Sequence, residues 1–599
     1  MKPQSRFQRV RKNLAQGMSL AWAASPGSLI RYSVLGIVSS AMPPIAVYLG
    51  ARLTNQIAQA KAHSLHLTDM LPIVIGLWVA TAVQRTVGAY MGYGRNLFVR
   101  RVQLEAERRL LAQASKLDLG HFDNSDWHDR LARAKRDVSW RPGDLTWSVL
   151  GLSGNIVTIL LMASLLASLH WVLVILALGA AGLSLVLERR VTARLYEFFY
   201  KEAPEERERE YLGDLLVQPR NTKEIRAYVL ADYLLGRHTQ RSEELFRQRQ
   251  GMYREGTRIS LMTGLITGTA LALAYLFVAL QGVAGAISAG GVVLVIGAFG
   301  SVSGTLGQIS STFVAVDQHT TFLDDYFSFL GIEPLLPVPA NPLPLPPPPL
   351  DGIEFDDVTF KYPGGTELAA KELSLQVRKG ELVALVGENG AGKSTLVKLL
   401  LRFYDVDGGA VRVGGVNVKD VDPEVLRGRI GVLFQDYTSY ELTVRENVAM
   451  GRPGGEIDDE RVMKALRDSR SEWLVKKMPN GLDSKVGRLF EGGHDLSGGE
   501  WQRLALARIM FRDADIWILD EPTASLDPEA EAAIFAELKE NLKGRIGIVI
   551  SHRFSTVRIA DRIAVIADGR VAELGSHEEL LRAKGRYAEL FELQAAGYR

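Results

Sequence analysis

Residues 373 to 404 read LSLQVRKGELVALVGENGAGKSTLVKLLLRFY, and the order of residue types in this run carries most of the information about the chain's second half. LSLQVRKGELVALVG has the alternation of strands, while TLVKLLLRFY has a helical pattern. Between them lie Gly387, Glu388, Asn389, Gly390, Ala391, Gly392, Lys393, Ser394 and Thr395. Gly387, Gly392, Lys393 and Ser394 occupy the fixed positions of the G-x-x-x-x-G-K-[ST] loop, in the strand-to-helix context that such a loop requires. Its glycines let backbone N–H groups approach phosphates, and the helix N-terminus adds partial positive charge. Lys393 reaches the β- and γ-phosphates, and Ser394 ligates Mg2+. A nucleoside triphosphate with Mg2+ is therefore the expected ligand of an α/β domain.

Working outward, IEFDDVTFKY (353 to 362) also alternates as a strand. Downstream, IWILDE (516 to 521) is a hydrophobic strand ending in two carboxylates. Asp520 is expected in the Mg2+ shell, and Glu521 is placed to polarise an attacking water. LSGGE, from Leu496 to Glu500, is followed by the helical WQRLALAR. Ser497, Gly498, Gly499 and Glu500 then open a second helix, whose N-terminus suits a γ-phosphate.

The LSGGE run resembles the signature of ATP-binding cassette proteins, in which the last residue is Gln or Glu, and the match covers roughly residues 351 to 590. Glu500 is the Glu variant. The resemblance implies that ATP is the nucleotide and that the signature of one domain covers the P-loop ATP of another. Two such domains are required. It further implies that Tyr362 in FKYP stacks on adenine and that Gln435 in VLFQD senses Mg2+ and contacts a membrane domain. His552 in VISHR is then the switch histidine at the γ-phosphate, and Ser525, Leu526 and Asp527 form a loop crossing the dimer interface. Taken singly, Tyr362 reads equally as a strand aromatic, Gln435 as a surface amide and His552 as a satisfied histidine.

The first half has a different character. Six stretches, near residues 30 to 52, 70 to 93, 145 to 168, 170 to 188, 259 to 282 and 286 to 313, each approach the ~20 apolar residues that cross a bilayer. Their Gly, Ser and Pro content is tolerated in lipid. A soluble buried bundle is the alternative. Lys2, Arg6, Arg9, Arg11 and Lys12, and the Arg-rich loops from Arg95 to Arg141 and from Arg189 to Arg258, place both ends and both long loops in the cytoplasm. A cleaved signal is disfavoured, because residues 13 to 27 are only mildly apolar; MSLAWAA (18 to 24) reads as an interfacial amphipathic segment. About thirty residues before the first span leave no room for a peptidase-like extension. The long loops should extend membrane helices by about 30 Å and reverse at HFDNSDWHDRLARA (121 to 134) and PRNTKEIRAYVL (219 to 230), where Asp, Asn and Ser resemble N-caps. PLLPVPANPLPLPPPP (334 to 349), with nine prolines, is expected to be an extended, semi-rigid spacer.

Three segments result: a membrane domain over 1–333, a linker over 334–350 and a nucleotide domain over 351–599. The fold class is multidomain, an all-α six-helix transmembrane domain followed by an α/β P-loop ATP-binding cassette. This order is similar to an exporter-type half-transporter. That resemblance implies an ATPase driving a hydrophobic or amphipathic drug, lipid or peptide outward by alternating access. It also makes 121 to 134 and 219 to 230 coupling helices and Glu491 the acidic residue that touches them. The intact Glu521 and signature favour a homodimer with two active sites, in the cytoplasmic membrane if prokaryotic. A regulatory or channel-type ABC ATPase is the alternative. Gln84 and Arg85 fall inside the second span, where Arg85 reads either as a functional charge or as a snorkelling one. The charge balance of 70 Lys+Arg against 68 Asp+Glu gives no case for nucleic-acid binding, and the absence of cysteine excludes disulfides and thiolate chemistry.

Overall fold

The computed structural model describes residues 6–59, 67–123, 127, 130–131, 134–135, 138, 140–454, 456–522 and 528–596. Two compact units result, Met1–Lys116 with Ser125–Glu333 and Leu117–Asn124 with Pro334–Arg599. Among the described residues nine α-helices precede residue 331: α1 (Arg6–Ala24), α2 (Pro26–Gln59), α3 (Leu67–Ala114), α4 (Leu119–Phe122), α5 (Arg141–Leu169), α6 (Trp171–Val217), α7 (Thr222–Ala227), α8 (Ala231–Val283) and α9 (Ala289–Leu330). The α4 helix falls in the second unit.

Six membrane-crossing segments, Pro26–Gln59, Thr68–Ala114, Arg141–Leu169, Trp171–Glu188, Ala231–Val283 and Ala289–Leu330, make this an integral membrane chain. Helices α3, α6 and α8, of 48, 47 and 53 residues, run about 70 to 80 Å, more than twice the hydrocarbon thickness. The apolar parts of α6, α8 and α9 pack through small and β-branched residues, among them Ala177, Ala270, Ala274, Ala298 and Val302. Thr158 Oγ1 donates to Ser40 O at 2.8 Å, a polar tie between α5 and α2. Where α6 and α8 turn polar, ion pairs take over. Arg249 bonds the buried Glu202 at 2.8 Å and Glu206 at 3.1 Å, and Arg241 bonds Glu208 at 2.7 Å. Trp78, Leu160 and Trp171 remain 64–68% exposed, as lipid-facing side chains do.

The MSLAWAA segment (18 to 24) is helical and keeps Trp22 exposed. It ends α1, which buries Leu20 and Ala21 and fastens to α9 through Asn13 Nδ2, bonded to Thr320 O at 2.8 Å and Asp324 at 3.1 Å. At the second loop reversal the expected side-chain cap does not form, while in the first Asn124, Ser125 and Asp126 lie outside the described residues. Asp118 precedes α4 without capping it and instead accepts from Leu336 N at 3.0 Å, while Asn221 precedes α7 and donates toward Leu215 O. Of the segment 121 to 134, residues 124–126, 128–129 and 132–133 lie outside the described residues. The part nearest α4 packs into the second unit, with Leu119 against its core and Tyr404 bonded to Asp123. Residues 219–230 form a 3-10 turn and α7 within the first unit.

The second unit is built on two sheets. The strands are β1 (Gly352–Phe360), β2 (Ala370–Arg378), β3 (Leu382–Val386), β4 (Gly408–Val413), β5 (Val416–Asn417), β6 (Ile430–Leu433), β7 (Ile516–Asp520), β8 (Ile546–Ile550), β9 (Arg562–Ala567) and β10 (Arg570–Gly575). Four pair as β2-β1-β4-β5 and six as β10-β9-β3-β8-β7-β6, the latter parallel except for β10. The run LSLQVRKGELVALVG thus supplies strands to both sheets. Alternating LSLQV covers one face in β2, while uniformly apolar LVALV is buried on both faces in β3. Gly380, at φ +70°, makes the turn between them.

The Pro-rich segment is extended, as expected, but is no free spacer. Leu336, Leu345 and Leu350 are buried, Arg402 donates to Pro337 O at 2.9 Å, and Arg429 donates to Pro346 O at 3.2 Å. Proline carbonyls remain acceptors, so arginines bind the strip along the second unit.

Candidate functional site

Parallel strands present their C-terminal ends together, and ligands of open α/β sheets bind there. Here β3, β8 and β7 are neighbours. Ile550, at the end of β8, pairs with Leu385 on one side and Asp520 on the other. The P-loop follows β3, His552 follows β8, Asp520 and Glu521 end β7, and Gln435 follows β6. Together they line a cavity of about 390 Å3 with Tyr362, Asn389, Gly390, Gly392, Ser394 and Thr395. Gly387, Glu388 and Ala391 belong to the same loop behind that lining.

The loop needs glycine for steric reasons. At Gly387, φ is +156° and a Cβ would lie 2.2 Å from Ile566 O; at Gly392, φ is +105° and a Cβ would lie 2.6 Å from Ala369 O. Lys393 opens the helix α10 (Lys393–Leu400). Its Nζ donates to Gly387 O at 2.7 Å and Glu388 O at 2.8 Å, closing the loop on itself. Burial pushes its pKa down, against the opposing charges of Asp520 and Glu521. Burial, helped by the Glu521 charge, pushes Asp520 up to about 6, although Lys393 and a hydrogen bond from Ser394 oppose it. A buried carboxylate under this strain, next to a serine hydroxyl, is a hard oxygen pair that suits a divalent cation. No cluster of three His, Cys, Asp or Glu occurs among the described residues, so a cation here needs phosphate and water for its remaining ligands.

Glu521 is held on every side. Its carboxylate accepts from Gln435 Nε2 at 3.0 Å and lies 3.4 Å from His552 Nε2. Its backbone N–H donates to Ile550 O at 2.9 Å, and its carbonyl accepts from Gln502 Nε2 at 2.9 Å. Its φ of +48° is left-handed, an uncommon conformation for a residue with a side chain. Sequence reading missed both the backbone conformation and Gln502. The signal available was only the helical phase of Gln502, two residues after the signature.

Tyr362 lines the cavity with its ring edge-on to Phe360 and Tyr404, its hydroxyl 3.0 Å from Thr395 Oγ1 and Lys398 Nζ 5.1 Å from its ring centre. The signature does not line this cavity. Ser497 caps helix α11 (Gly498–Arg512) in a capping box: its Oγ accepts from Glu500 N at 3.4 Å, and Glu500 Oε2 accepts from Ser497 N at 2.7 Å. Glu500 also bonds Lys477 at 2.7 Å. Glu491 is exposed. Gln84 and Arg85 are exposed on α3. Ser525, Leu526 and Asp527 lie outside the described residues.

A family model described as "ABC transporter" matches residues 370–524. The subtilin transport ATP-binding protein SpaT of Bacillus subtilis is 28% identical over 94% of this chain and 91% of its own length. The nisin transport ATP-binding protein NisT of Lactococcus lactis is 28% identical over 93% of this chain and 92% of its own. An ATP-dependent lipid A-core flippase of Coxiella burnetii is 40% identical, but over only 41% of each chain. Among solved structures, a bacterial Atm1-family ABC exporter with ATP bound shares the fold, with a TM-score of 0.79, 24% identity and coverage of 95% of this chain and 98% of that one.

Proposed function

We propose, for a chain that belongs to the ABC transporter superfamily as an exporter-type half-transporter, that it works as a homodimer exporting an amphipathic peptide across the cytoplasmic membrane. The observation that carries the hydrolytic part is the convergence of Lys393, Ser394, Asp520, Glu521, Gln435 and His552 on one cavity. The peptide class rests on the relatives similar along nearly the whole chain, which are named for subtilin and nisin transport. The flippase similarity spans less than half of either chain and so bears less on cargo.

In this reading the P-loop amides and Lys393 Nζ bind the ATP phosphates, Lys393 exchanging its two carbonyl partners for phosphate oxygens. Tyr362 offers its ring to adenine. Ser394, Asp520 and Gln435 would hold Mg2+, which would supply charge neutralisation for the phosphates during hydrolysis. Glu521 orients and polarises the attacking water, and His552 donates toward the γ-phosphate. Ser497, Gly498, Gly499 and Glu500 of the second copy complete the site, and Asp527 belongs to the loop that the family resemblance implies crosses the dimer interface. Closure of the two copies over ATP turns the membrane helices outward, and hydrolysis resets them.

The test is ATP hydrolysis by the purified protein in lipid nanodiscs, against amphipathic peptides, lipids and hydrophobic drugs, with Glu521→Gln as the blank. Stimulation by peptides alone is the expected result. Stimulation by lipids or drugs alone overturns the cargo class, and near-normal turnover in Glu521→Gln overturns the base.

A further inference from the structure

Helix α11 is tied to the hydrolytic residues of its own chain at two places, one at its phosphate-facing start and one about a turn and a half into the helix. One tie is Gln502, only 2% exposed, whose Nε2 donates to Glu521 O at 2.9 Å. The other is Tyr437, whose hydroxyl donates to Gly498 O at 2.9 Å. Tyr437 stands two residues beyond Gln435, the residue whose amide bonds the Glu521 carboxylate. Arg508 of α11 reinforces that loop by donating to Thr438 O at 2.7 Å.

A left-handed backbone at a residue with a side chain persists only where its surroundings over-determine it. At Glu521 the surroundings are Ile550 O on the N–H and Gln502 on the carbonyl. A small displacement of α11 therefore acts on Glu521 twice, through its backbone and through the amide that aims its carboxylate. Misplacement of a reacting group by about 1 Å can cost on the order of 100-fold in rate. A packed helix moves as a body, so displacement at Ser497 reaches Gln502 within about one turn and a half.

We infer that Gln502 and Tyr437 are positioning residues through which α11, gripped at Ser497 by the nucleotide of a partner copy, sets the geometry of this chain's own Glu521, so that each ATP site governs turnover at the other. The inference rests on the reading of Glu521 as base and of the signature as acting across the dimer. The wire needs no contact between Gln502 and nucleotide.

The experiment uses the full-length homodimer in nanodiscs and measures kcat, KM and Hill coefficient for ATP hydrolysis, together with direct binding of a fluorescent ATP analogue. Gln502→Glu keeps the side-chain shape but sets an acceptor against Glu521 O. Tyr437→Phe removes one hydroxyl. Gln502→Glu should lower kcat about tenfold or more, leave analogue affinity within about twofold and bring the Hill coefficient to about 1. Tyr437→Phe should lower kcat by about threefold with the same loss of cooperativity. In the Glu521→Gln background, adding Gln502→Glu should change the residual single-turnover rate by less than about twofold, because the two act as a unit.

Normal kcat and Hill coefficient in Gln502→Glu with binding intact overturn the inference, as does a full Gln502→Glu effect in the Glu521→Gln background. If Gln502→Glu fails to bind the analogue, Tyr437→Phe decides by the same criteria. Near-normal turnover in Glu521→Gln alone would instead strike the underlying reading of the base.

Discussion

Asp520 carries a cost that the site uses. It is 8% exposed, with Glu521 adjacent, and its carboxyl is pushed up to about 6. A carboxyl with a raised folded pKa holds its proton more tightly in the folded chain than in the unfolded one. Stability therefore falls as pH rises from the ordinary carboxylate range to about 6, and the full penalty stands above that. The penalty is on the order of 3 kcal/mol. Asp520→Asn should accordingly raise the thermal unfolding midpoint of nucleotide-free protein at pH 8, and the gain should vanish at pH 4. The same variant should lose Mg2+-dependent hydrolysis. Equal midpoints at pH 8 would show that the carboxylate is already compensated. The two carboxylates were legible as a strand end in IWILDE, whereas the left-handed turn that aims Glu521 was not, because no residue type there requires it.

At the scale of the element, α11 shows one motif serving two ends. Ser497 and Glu500 were read as a phosphate-facing helix start, and the structure adds a reciprocal capping box between them. Such a box accepts Glu or Gln at its third helical position, which accounts physically for the tolerance of either residue. Glu500→Gln should therefore change stability by less than about 1 kcal/mol, since the box is kept and the Lys477 end of the ion pair is half exposed. Glu500→Ala should cost about 1 kcal/mol by loss of the cap. Equilibrium or thermal unfolding of the two variants side by side checks this, and equal losses would place the stabilisation in the Lys477 pair. Helix starts with S-x-x-E are legible because the bonds are local. Asn221 shows the converse: its side chain donates toward Leu215 O instead of capping α7.

At the scale of the whole molecule, the cavity of one chain contains a P-loop but no signature. If two copies complete one another's sites, defects on separate chains should complement. Lys393→Ala and Ser497→Ala homodimers should each hydrolyse ATP at less than about a tenth of the normal rate. Mixed dimers should recover trapping of one ATP per dimer, because one of their two sites then combines an intact loop with an intact signature, while turnover there stays below normal because α11 of the Ser497→Ala chain is not gripped. Placing both changes on one chain opposite an unmodified chain should leave no intact site. Tagged, co-expressed and tandem-purified dimers make the comparison, and recovery in neither arrangement would dismiss the shared site.

Local chemistry in the chain was enough for much of this. The six apolar runs, the P-loop and the strand-end carboxylates are contiguous patterns, and contiguous patterns report periodicity, hydration and steric need directly. What required the folded molecule were pairings between residues far apart in the chain. Gln502 on Glu521, Tyr437 on Gly498, arginines on the proline carbonyls and Asp118 on Leu336 join segments whose mutual placement no local pattern encodes. Side-chain hydrogen bonds of this kind depend on atoms meeting within about 3 Å, a condition set only when sheets and helices pack.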